Sequence, residues 1–121
     1  MTTNIRTLEN NRAKFAFEMV REVRSKKDEY VSWSKKITVL IKTNGLGQTL
    51  AFMKSRGKEE TNLMLRQITR WLVFKNEINE GEDLVEKITE IDSFTYRRWS
   101  REIVALFNWV RRFSEGYLKI K

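Results

Sequence analysis

Apolar residues recur at steps of three and four along most of the chain, the spacing that places side chains on one face of an α-helix. No segment shows the sustained alternation of apolar and polar residues that is typical of a half-buried strand. In chain order, the spacing and its polar breaks predict six helices. The first covers about 4–26, the second runs from about 28 to the glycines at 45 and 47, and the third continues from there to about 57. The fourth runs from about 59 to a polar loop at 76–81, the fifth covers about 83–91, and the sixth begins at 92 or 93. Such short connections predict an all-α fold, a compact bundle of about six helices with no sheet, in a single domain over residues 1–121.

The inward faces of these helices carry large apolar side chains that can fill one core. The predicted core positions, helix by helix, are Leu8, Phe15, Met19, Val20 and Val23; Tyr30, Trp33, Ile37, Leu40 and Ile41; Leu46, Leu50 and Met53; Met64, Leu65, Ile68, Trp71 and Leu72; and Tyr96, Trp99, Ile103, Leu106, Phe107, Val110 and Phe113. Arg12 also falls inside the apolar face of the first helix. Because a buried guanidinium must be paired, Arg12 is predicted to form a structural ion pair, or else a contact with a neighbouring subunit.

The segment TNGLGQTLAF, residues 43–52, holds two of the five glycines of the chain. A β-hairpin is excluded because the flanking segments have helical spacing. A Walker phosphate loop needs four residues between its glycines and a Gly-Lys-Ser/Thr ending, and this segment has neither. The remaining interpretation is a sharp corner between two helices. Asn44 or Gly45 takes a left-handed conformation there, and Gly47 lets the next helix start close to a neighbour.

The residue types that are missing from the chain exclude several classes of catalytic and metal site. The chain has no cysteine and no histidine, which removes disulfides, zinc sites with nitrogen or sulfur ligands, a Ser-His-Asp triad and the usual general base. These absences disfavour an enzyme without excluding one built from carboxylates, lysine or tyrosine, and we predict no catalytic residue, no metal, no cofactor and no small-molecule substrate. No stretch approaches about 18 apolar residues and no signal sequence opens the chain, so we expect no membrane span and a cytoplasmic protein.

The charge is strongly basic and unevenly distributed. The formal net charge is +8 with a pI near 9.9, and most of the positive excess lies in the first half of the chain. The segment 77–92 carries seven acids against one base. A basic protein with an acidic patch can meet a polyanion on one surface and a basic partner on another. The alternative interpretation is that these charges only solvate the surface.

Basic residues fall on three tracks when each helix is projected at 100° per residue. The tracks are Lys14, Phe17, Arg21 and Arg24 on the first helix; Arg97, Arg101, Asn108 and Arg112, with Arg98 and Arg111 beside them, on the last; and Lys35 and Lys42 on the second, approaching Lys54 and Arg56 if the glycine corner folds the helices together. Tracks of this kind bind single-stranded RNA when aromatic side chains accompany them. Phe17 is accordingly predicted to be a stacking platform, a subunit contact, or a residue packed under another helix of its own chain.

Three blocks of the sequence resemble one known family. TNGLGQTLAF resembles a signature of the small subunit of the Cmr complex, the type III-B CRISPR effector that silences RNA. The segments RTLE at 6–9 and RAKFA at 12–16 are similar to the opening of that family, and LFNWVRRFSEG at 106–116 is similar to its closing helix. The middle of the chain, from 58 to 90, matches nothing specific.

The resemblance implies a non-catalytic, all-helical subunit of an antiviral effector complex. In the family, several copies lie along the inner side of a helical filament of larger subunits that holds the guide RNA and its target. The implied partners are therefore other Cmr subunits, further copies of this chain, and target single-stranded RNA with its guide. Two rivals stay open from the residues: a helical DNA-binding module, with Gln48 as the best base-reading side chain, and a pure protein–protein assembly module.

Overall fold

The computed structural model describes residues 5–119, with side chains from Thr7 onward. Within that range the chain forms six α-helices: α1 (Ile5–Arg21), α2 (Lys27–Asn44), α3 (Leu46–Arg56), α4 (Glu59–Phe74), α5 (Leu84–Ile88) and α6 (Ser93–Tyr117). No described residue belongs to a strand. The prediction of an all-α bundle of about six helices without a sheet is confirmed, whereas the single domain over residues 1–121 stays a prediction.

The longest helix, α6, is the centre of the packing. Its 25 residues contact both α1 and α2, while α2 also contacts α3 and α4, and α3 contacts α4 and α5. Trp71, Trp99, Tyr30 and Phe107 are the largest of the almost fully buried side chains, and all belong to one continuous core. The predicted core positions lie in that core as buried residues, except for the following, which are half-buried: Leu8, Phe15, Leu40, Tyr96 and Phe113.

A few polar side chains lie inside the bundle, each with a partner. Tyr30 Oη donates a hydrogen bond to Gln67 Oε1 at 2.6 Å, and Gln67 Nε2 donates to the Met19 carbonyl at 3.0 Å. The hydroxyls of Ser34 and Ser114 are hydrogen-bonded at 2.9 Å, which joins α2 to α6. In the described part of the chain every buried side-chain nitrogen and oxygen has a partner. These polar groups therefore fix the alignment of the helices without the free-energy cost of a buried polar atom that lacks a hydrogen bond.

The first helix ends at Arg21, earlier than the apolar spacing predicts. Val23 continues the apolar face and is only 3% exposed, which is why the pattern suggested a helix to residue 26. The Val23 N–H bonds the Val20 carbonyl at 3.2 Å, three residues back, so the chain tightens into a 3₁₀-like turn there. Lys26 then takes a left-handed φ of 56° and α2 begins at the next residue.

Gly45 makes the corner between α2 and α3, because Asn44 is still the last residue of α2. Its φ is 90° and its ψ 158°, so the position requires glycine but is extended rather than left-handed helical. The Tyr96 hydroxyl on α6 accepts a hydrogen bond from the Gly47 N–H at 2.7 Å. A Cβ on Gly47 would lie 3.4 Å from that hydroxyl. The glycine corner is therefore the place where α6 approaches the start of α3.

Candidate nucleic-acid interface

A stripe of arginines runs along the outward face of α6. Arg97, Arg101 and Arg112 are exposed, with Asn108 between them, and the stripe is about 22 Å long at 1.5 Å per residue. Within the described residues, none of these three arginines forms an ion pair. Arg111 lies half-buried at the edge of the stripe. The positive charge of the stripe is thus available to a partner.

Arg98, which the sequence placed beside this stripe, is engaged within the chain. Its Nε and Nη2 donate to the two oxygens of Glu77 at 3.1 and 2.7 Å, and Trp99 Nε1 donates to Glu77 Oε1 at 3.0 Å. The hydrogen bond from Arg98 lowers the pKa of Glu77, and this effect outweighs the burial that raises it. Arg98 therefore fastens the start of α6 to the loop after α4.

The basic side of α1 meets α6 through Phe17. The Phe17 ring packs edge-on against Phe113 and against Tyr117, with ring centroids 5.4 Å apart in both pairs. Phe17 keeps part of its surface exposed, and the Arg21 guanidinium lies 5.7 Å from its ring centroid. Beyond the end of α1, Arg24 is exposed and its Nη1 donates to the Arg21 carbonyl at 3.0 Å. Phe17 thus packs on a helix of its own chain while part of its surface stays accessible beside Arg21.

Aromatic side chains form a continuous cluster along the seam between α1 and α6. Trp109 contacts Phe113 with centroids 5.7 Å apart, and Tyr117 at the outer end is 67% exposed. Arg112 is three residues from Trp109, and exposed Lys14 is three residues from Phe17, so each cation neighbours the cluster on its own helix. The cluster therefore lies between two of the predicted basic tracks. We call this region the α1–α6 surface; it comprises Lys14, Phe17, Arg21, Arg24, Arg97, Arg101, Trp109, Arg112, Phe113 and Tyr117.

The cations predicted on α2 and α3 have different surroundings in the fold. Lys35 pairs with a glutamate of α6 at 3.0 Å. Lys54 and Arg56 are two residues apart and therefore point about 160° away from each other: Arg56 lies 5.5 Å from the Trp33 ring centroid, whereas Lys54 lines a groove beside α4. Trp33 lies about 14 Å along α2 from Lys42. The corner thus leaves Lys42 distant from Arg56.

The acidic segment 77–92 is largely used within the chain. Asp83 accepts backbone hydrogen bonds at the start of α5, and Asp92 does the same at the start of α6, both as N-caps. Glu82 pairs with Lys87 at 3.1 Å, and Glu77 is held by Arg98 as described above. The segment consequently presents fewer free carboxylates than its composition suggests.

Arg12 forms a two-point ion pair with Glu102 of α6. Both Arg12 Nε to Glu102 Oε2 and Arg12 Nη2 to Glu102 Oε1 measure 2.9 Å, and Nη1 lies 3.1 Å from Glu9 Oε2. Trp71 Nε1 donates to the same Glu102 carboxylate at 3.0 Å. Burial raises the pKa of Glu102, but the hydrogen bonds and charge of Arg12 together bring it below its ordinary value. The pair links α1, α4 and α6.

Some residues of these surfaces were not found from the sequence. Tyr117 continues the i, i+4 series of Trp109 and Phe113, which was a usable signal that the projection of cations overlooked. Where α3 packs on α2, Phe52 is 49% exposed and its ring centroid lies 6.1 Å from that of Trp33. Lys36 lies 4.9 Å from the same Trp33 ring. This contact has no local sequence signal, because it depends on how α2 and α3 fold together.

The described residues 5–119 hold neither a metal-binding cluster nor a membrane-spanning helix. No group of three or more histidine, cysteine, aspartate or glutamate side chains is arranged to hold a metal ion. No helix in that range is both long enough and apolar enough to cross a membrane.

Comparison with known proteins connects this arrangement to a family. The family model of the CRISPR-associated protein (Cas_Cmr5) matches residues 8–117. The chain belongs to this family. The resemblance noted from the glycine corner and the two terminal blocks is thereby confirmed.

Individual members of the Cas_Cmr5 family match over most of their length. CRISPR system Cmr subunit Cmr5 of Thermus thermophilus is 31% identical over 109 residues, covering 88% of this chain and 92% of the relative. CRISPR system Cmr subunit Cmr5 of Thermotoga maritima is 29% identical over 118 residues, covering 94% and 87%. The crystal structure of a Cmr5 family protein from Thermus thermophilus superposes with a TM-score of 0.76 at 29% identity, covering 92% of this chain and 97% of the other.

Proposed function

We propose that this chain is the non-catalytic small subunit of a cytoplasmic type III-B Cmr effector complex and binds target single-stranded RNA through its α1–α6 surface. In this proposal it lies along the interior of the filament beside further copies of itself, the other Cmr subunits and the guide RNA, as part of antiviral defence. Membership of the Cas_Cmr5 family supports the assignment to the complex. The absence of cysteine and histidine from the sequence agrees with a subunit that leaves cleavage to a partner.

The observation that carries the RNA-binding proposal is the meeting of two basic tracks at one aromatic cluster. Proteins that bind single strands without sequence preference combine cations that follow the backbone with aromatic faces on which bases stack. Here the exposed Tyr117 and half-exposed Phe17 lie between cations of α1 and unpaired arginines of α6. Cations that contact phosphates and aromatic faces that stack on any base do not read base identity, so we expect binding that depends little on sequence.

The proposal is tested by the salt dependence of target-RNA affinity in the assembled complex. Each phosphate contact on a single strand adds about 0.7 to the slope of log affinity against log salt. The double variant Arg97→Glu with Arg101→Glu should lower that slope by about 1.4 for each copy that contacts RNA. Lys42→Glu with Lys58→Glu is the matched control, since it changes the net charge equally at exposed residues outside the α1–α6 surface.

A slope that falls equally in both double variants would assign the effect to net charge and remove the α1–α6 surface from the proposal. The rival use of the same arginines is contact with an acidic protein subunit. In that case high salt separates the subunits in RNA-free preparations, and the RNA slope stays at the parent value. Duplex DNA compared with single-stranded RNA in the same assay tests the DNA-binding alternative.

A further inference from the structure

A groove of about 690 Å³ separates α4 from the loop before α5. It lies on other helices than the α1–α6 surface and does not depend on the proposed function. Its volume is within the usual range for small-molecule and cofactor sites. The lining residues are Lys54 of α3, Asn62, Leu65, Arg66, Thr69 and Arg70 of α4, and Gly81, Glu82, Asp83, Leu84 and Val85.

Three basic side chains line the groove. Lys54 and Arg66 are exposed, and neither forms an ion pair or hydrogen bond within the described chain. Arg70 stands beside them, with its Nη2 2.7 Å from Glu22 Oε1. Lys54, Arg66 and Arg70 give the groove positive charge and N–H donors that a phosphate can bind.

The opposite wall carries two carboxylates that are held in place. Glu82 Oε1 accepts the Asn79 N–H at 2.7 Å, and its other oxygen pairs with Lys87. Asp83 Oδ1 accepts the Val85 N–H at 2.9 Å at the start of α5. Neither carboxylate forms an ion pair with Lys54 or Arg66 in the described chain. They can accept hydrogen bonds from a donor, such as the exocyclic amine of a base.

The floor between the two walls is apolar. Leu65 and Leu84 are buried and Val85 is half-buried, so a flat apolar body has a surface to lie on. A ligand that matches the groove has an anionic end, a flat body and a hydrogen-bond donor at the far edge. A nucleotide has all three.

We propose that the groove between α4 and the 79–85 loop binds one nucleotide, with its phosphate at Lys54, Arg66 and Arg70 and its base over the apolar floor toward Glu82 and Asp83. The nucleotide is either a free ribonucleoside monophosphate or one residue of an RNA strand that passes the groove. Bases with an exocyclic amine bind better than uracil because the amine offers two N–H donors to the carboxylate wall, whereas uracil offers only its ring N3–H.

The test uses the isotope-labelled full-length chain and follows its backbone amide signals during titration. The probes are the four ribonucleoside monophosphates, the four nucleosides, inorganic phosphate, and two short single-stranded oligoribonucleotides, one of adenosine and one of uridine. We expect the monophosphates, adenosine before uridine, to shift the amides of Thr69, Gly81 and Val85, and the nucleosides and phosphate alone to bind more weakly. Arg66→Glu and, independently, Lys54→Glu should weaken the binding about tenfold, because each removes a charge-assisted contact.

The control variant is Lys42→Glu, an equal charge change at an exposed residue of α2 that lies outside both the groove and the α1–α6 surface. If the amide signals of the groove shift at a lower concentration of the adenosine oligonucleotide than of the monophosphates, the site binds a nucleotide of an RNA strand. If they shift only with the monophosphates, the site binds a free nucleotide. The proposal is overturned if Arg66→Glu and Lys54→Glu retain the parent affinity, or if inorganic phosphate binds as tightly as the monophosphates. Either failure leaves the test of the α1–α6 surface unaffected, since that test uses different residues.

Discussion

The ion pair between Arg12 and Glu102 should be one of the most sensitive points of the fold. Both side chains are only 14% exposed, and the carboxylate holds the guanidinium at two points while accepting the Trp71 indole N–H. Glu102→Ala removes all three hydrogen bonds at once and leaves the Arg12 charge with Glu9 alone. The perturbation therefore tests whether the contact between α1, α4 and α6 depends on this carboxylate.

The expected loss follows from the burial of the pair. Breaking a fully buried pair by removing one partner costs about 3–5 kcal/mol. Because some water reaches this pair and Arg12 keeps Glu9, we expect about 3 kcal/mol for Glu102→Ala, at the lower end of that range. For a chain of this length, that loss corresponds to a fall in Tm of about 12 °C.

The assay is urea unfolding followed by circular dichroism at neutral pH, with Arg12→Ala and the double variant completing a thermodynamic cycle. Lys35→Ala is the control, since the Lys35–Glu115 pair links the same helix α6 but its side chains are 45% and 39% exposed. Such a surface pair should leave the unfolding curve almost unchanged. If Glu102→Ala changes stability no more than Lys35→Ala does, the buried pair is not holding these helices together.

The same pair predicts a direction for acid sensitivity. Burial raises the pKa of Glu102, but Arg12 outweighs it and the folded-state pKa lies below the ordinary value of 4.5. A carboxyl with a lowered pKa contributes stability that is present above its unfolded-state value and is lost as the pH falls through the folded-state value. We therefore expect the free energy of unfolding to fall below pH 4.5 less steeply in Glu102→Gln than in the parent chain.

Two other features give sharp expectations. Gly45→Ala should destabilise the chain by about 1–2 kcal/mol, because the φ of 90° at this position is strained for alanine. Gly47→Ala should cost less, because its Cβ would meet the Tyr96 hydroxyl at the ordinary contact distance of 3.4 Å. Equal losses of stability in thermal melting of the two variants would contradict this account of the corner. Burial and the nearby Glu22 charge raise the pKa of Tyr30 above its ordinary value of 10.0, so the folded state holds this proton longer than the unfolded state and stability should fall as the pH rises above about 10. Tyr30→Phe should remove that part of the alkaline loss, which is checked by urea unfolding at pH values of about 9 and about 11, and an unchanged pH dependence would exclude Tyr30 as its source.

The secondary structure could be predicted because it depends on local spacing. Steps of three and four residues placed Leu50, Ile68 and Phe107 on inward faces, and all three are fully buried. The end of α1 was missed for a physical reason: Val23 fills a core position from a 3₁₀-like turn, so burial continues after the helix has ended. The corner at Gly45 was found from its flanks, but the nearby contact of Gly47 with Tyr96 joins segments that lie 49 residues apart.

The candidate sites divide in the same way. The basic faces of α1 and α6 could be found one helix at a time, because a face is defined by 100° steps along a single chain segment. Packing between helices decides which faces meet. The contact of Phe17 with Phe113 and Tyr117 brings the basic tracks of α1 and α6 together. The third predicted track is divided, because Lys54 and Arg56 point about 160° away from each other on α3. The sequence alone shows that segment 77–92 is acidic, but only the folded chain shows which of its carboxylates cap helices and which form ion pairs. By itself the sequence determined the helices, the family and the sign of the charge; the tertiary structure decided which charges remain free, because pairing depends on contacts between residues distant in the chain.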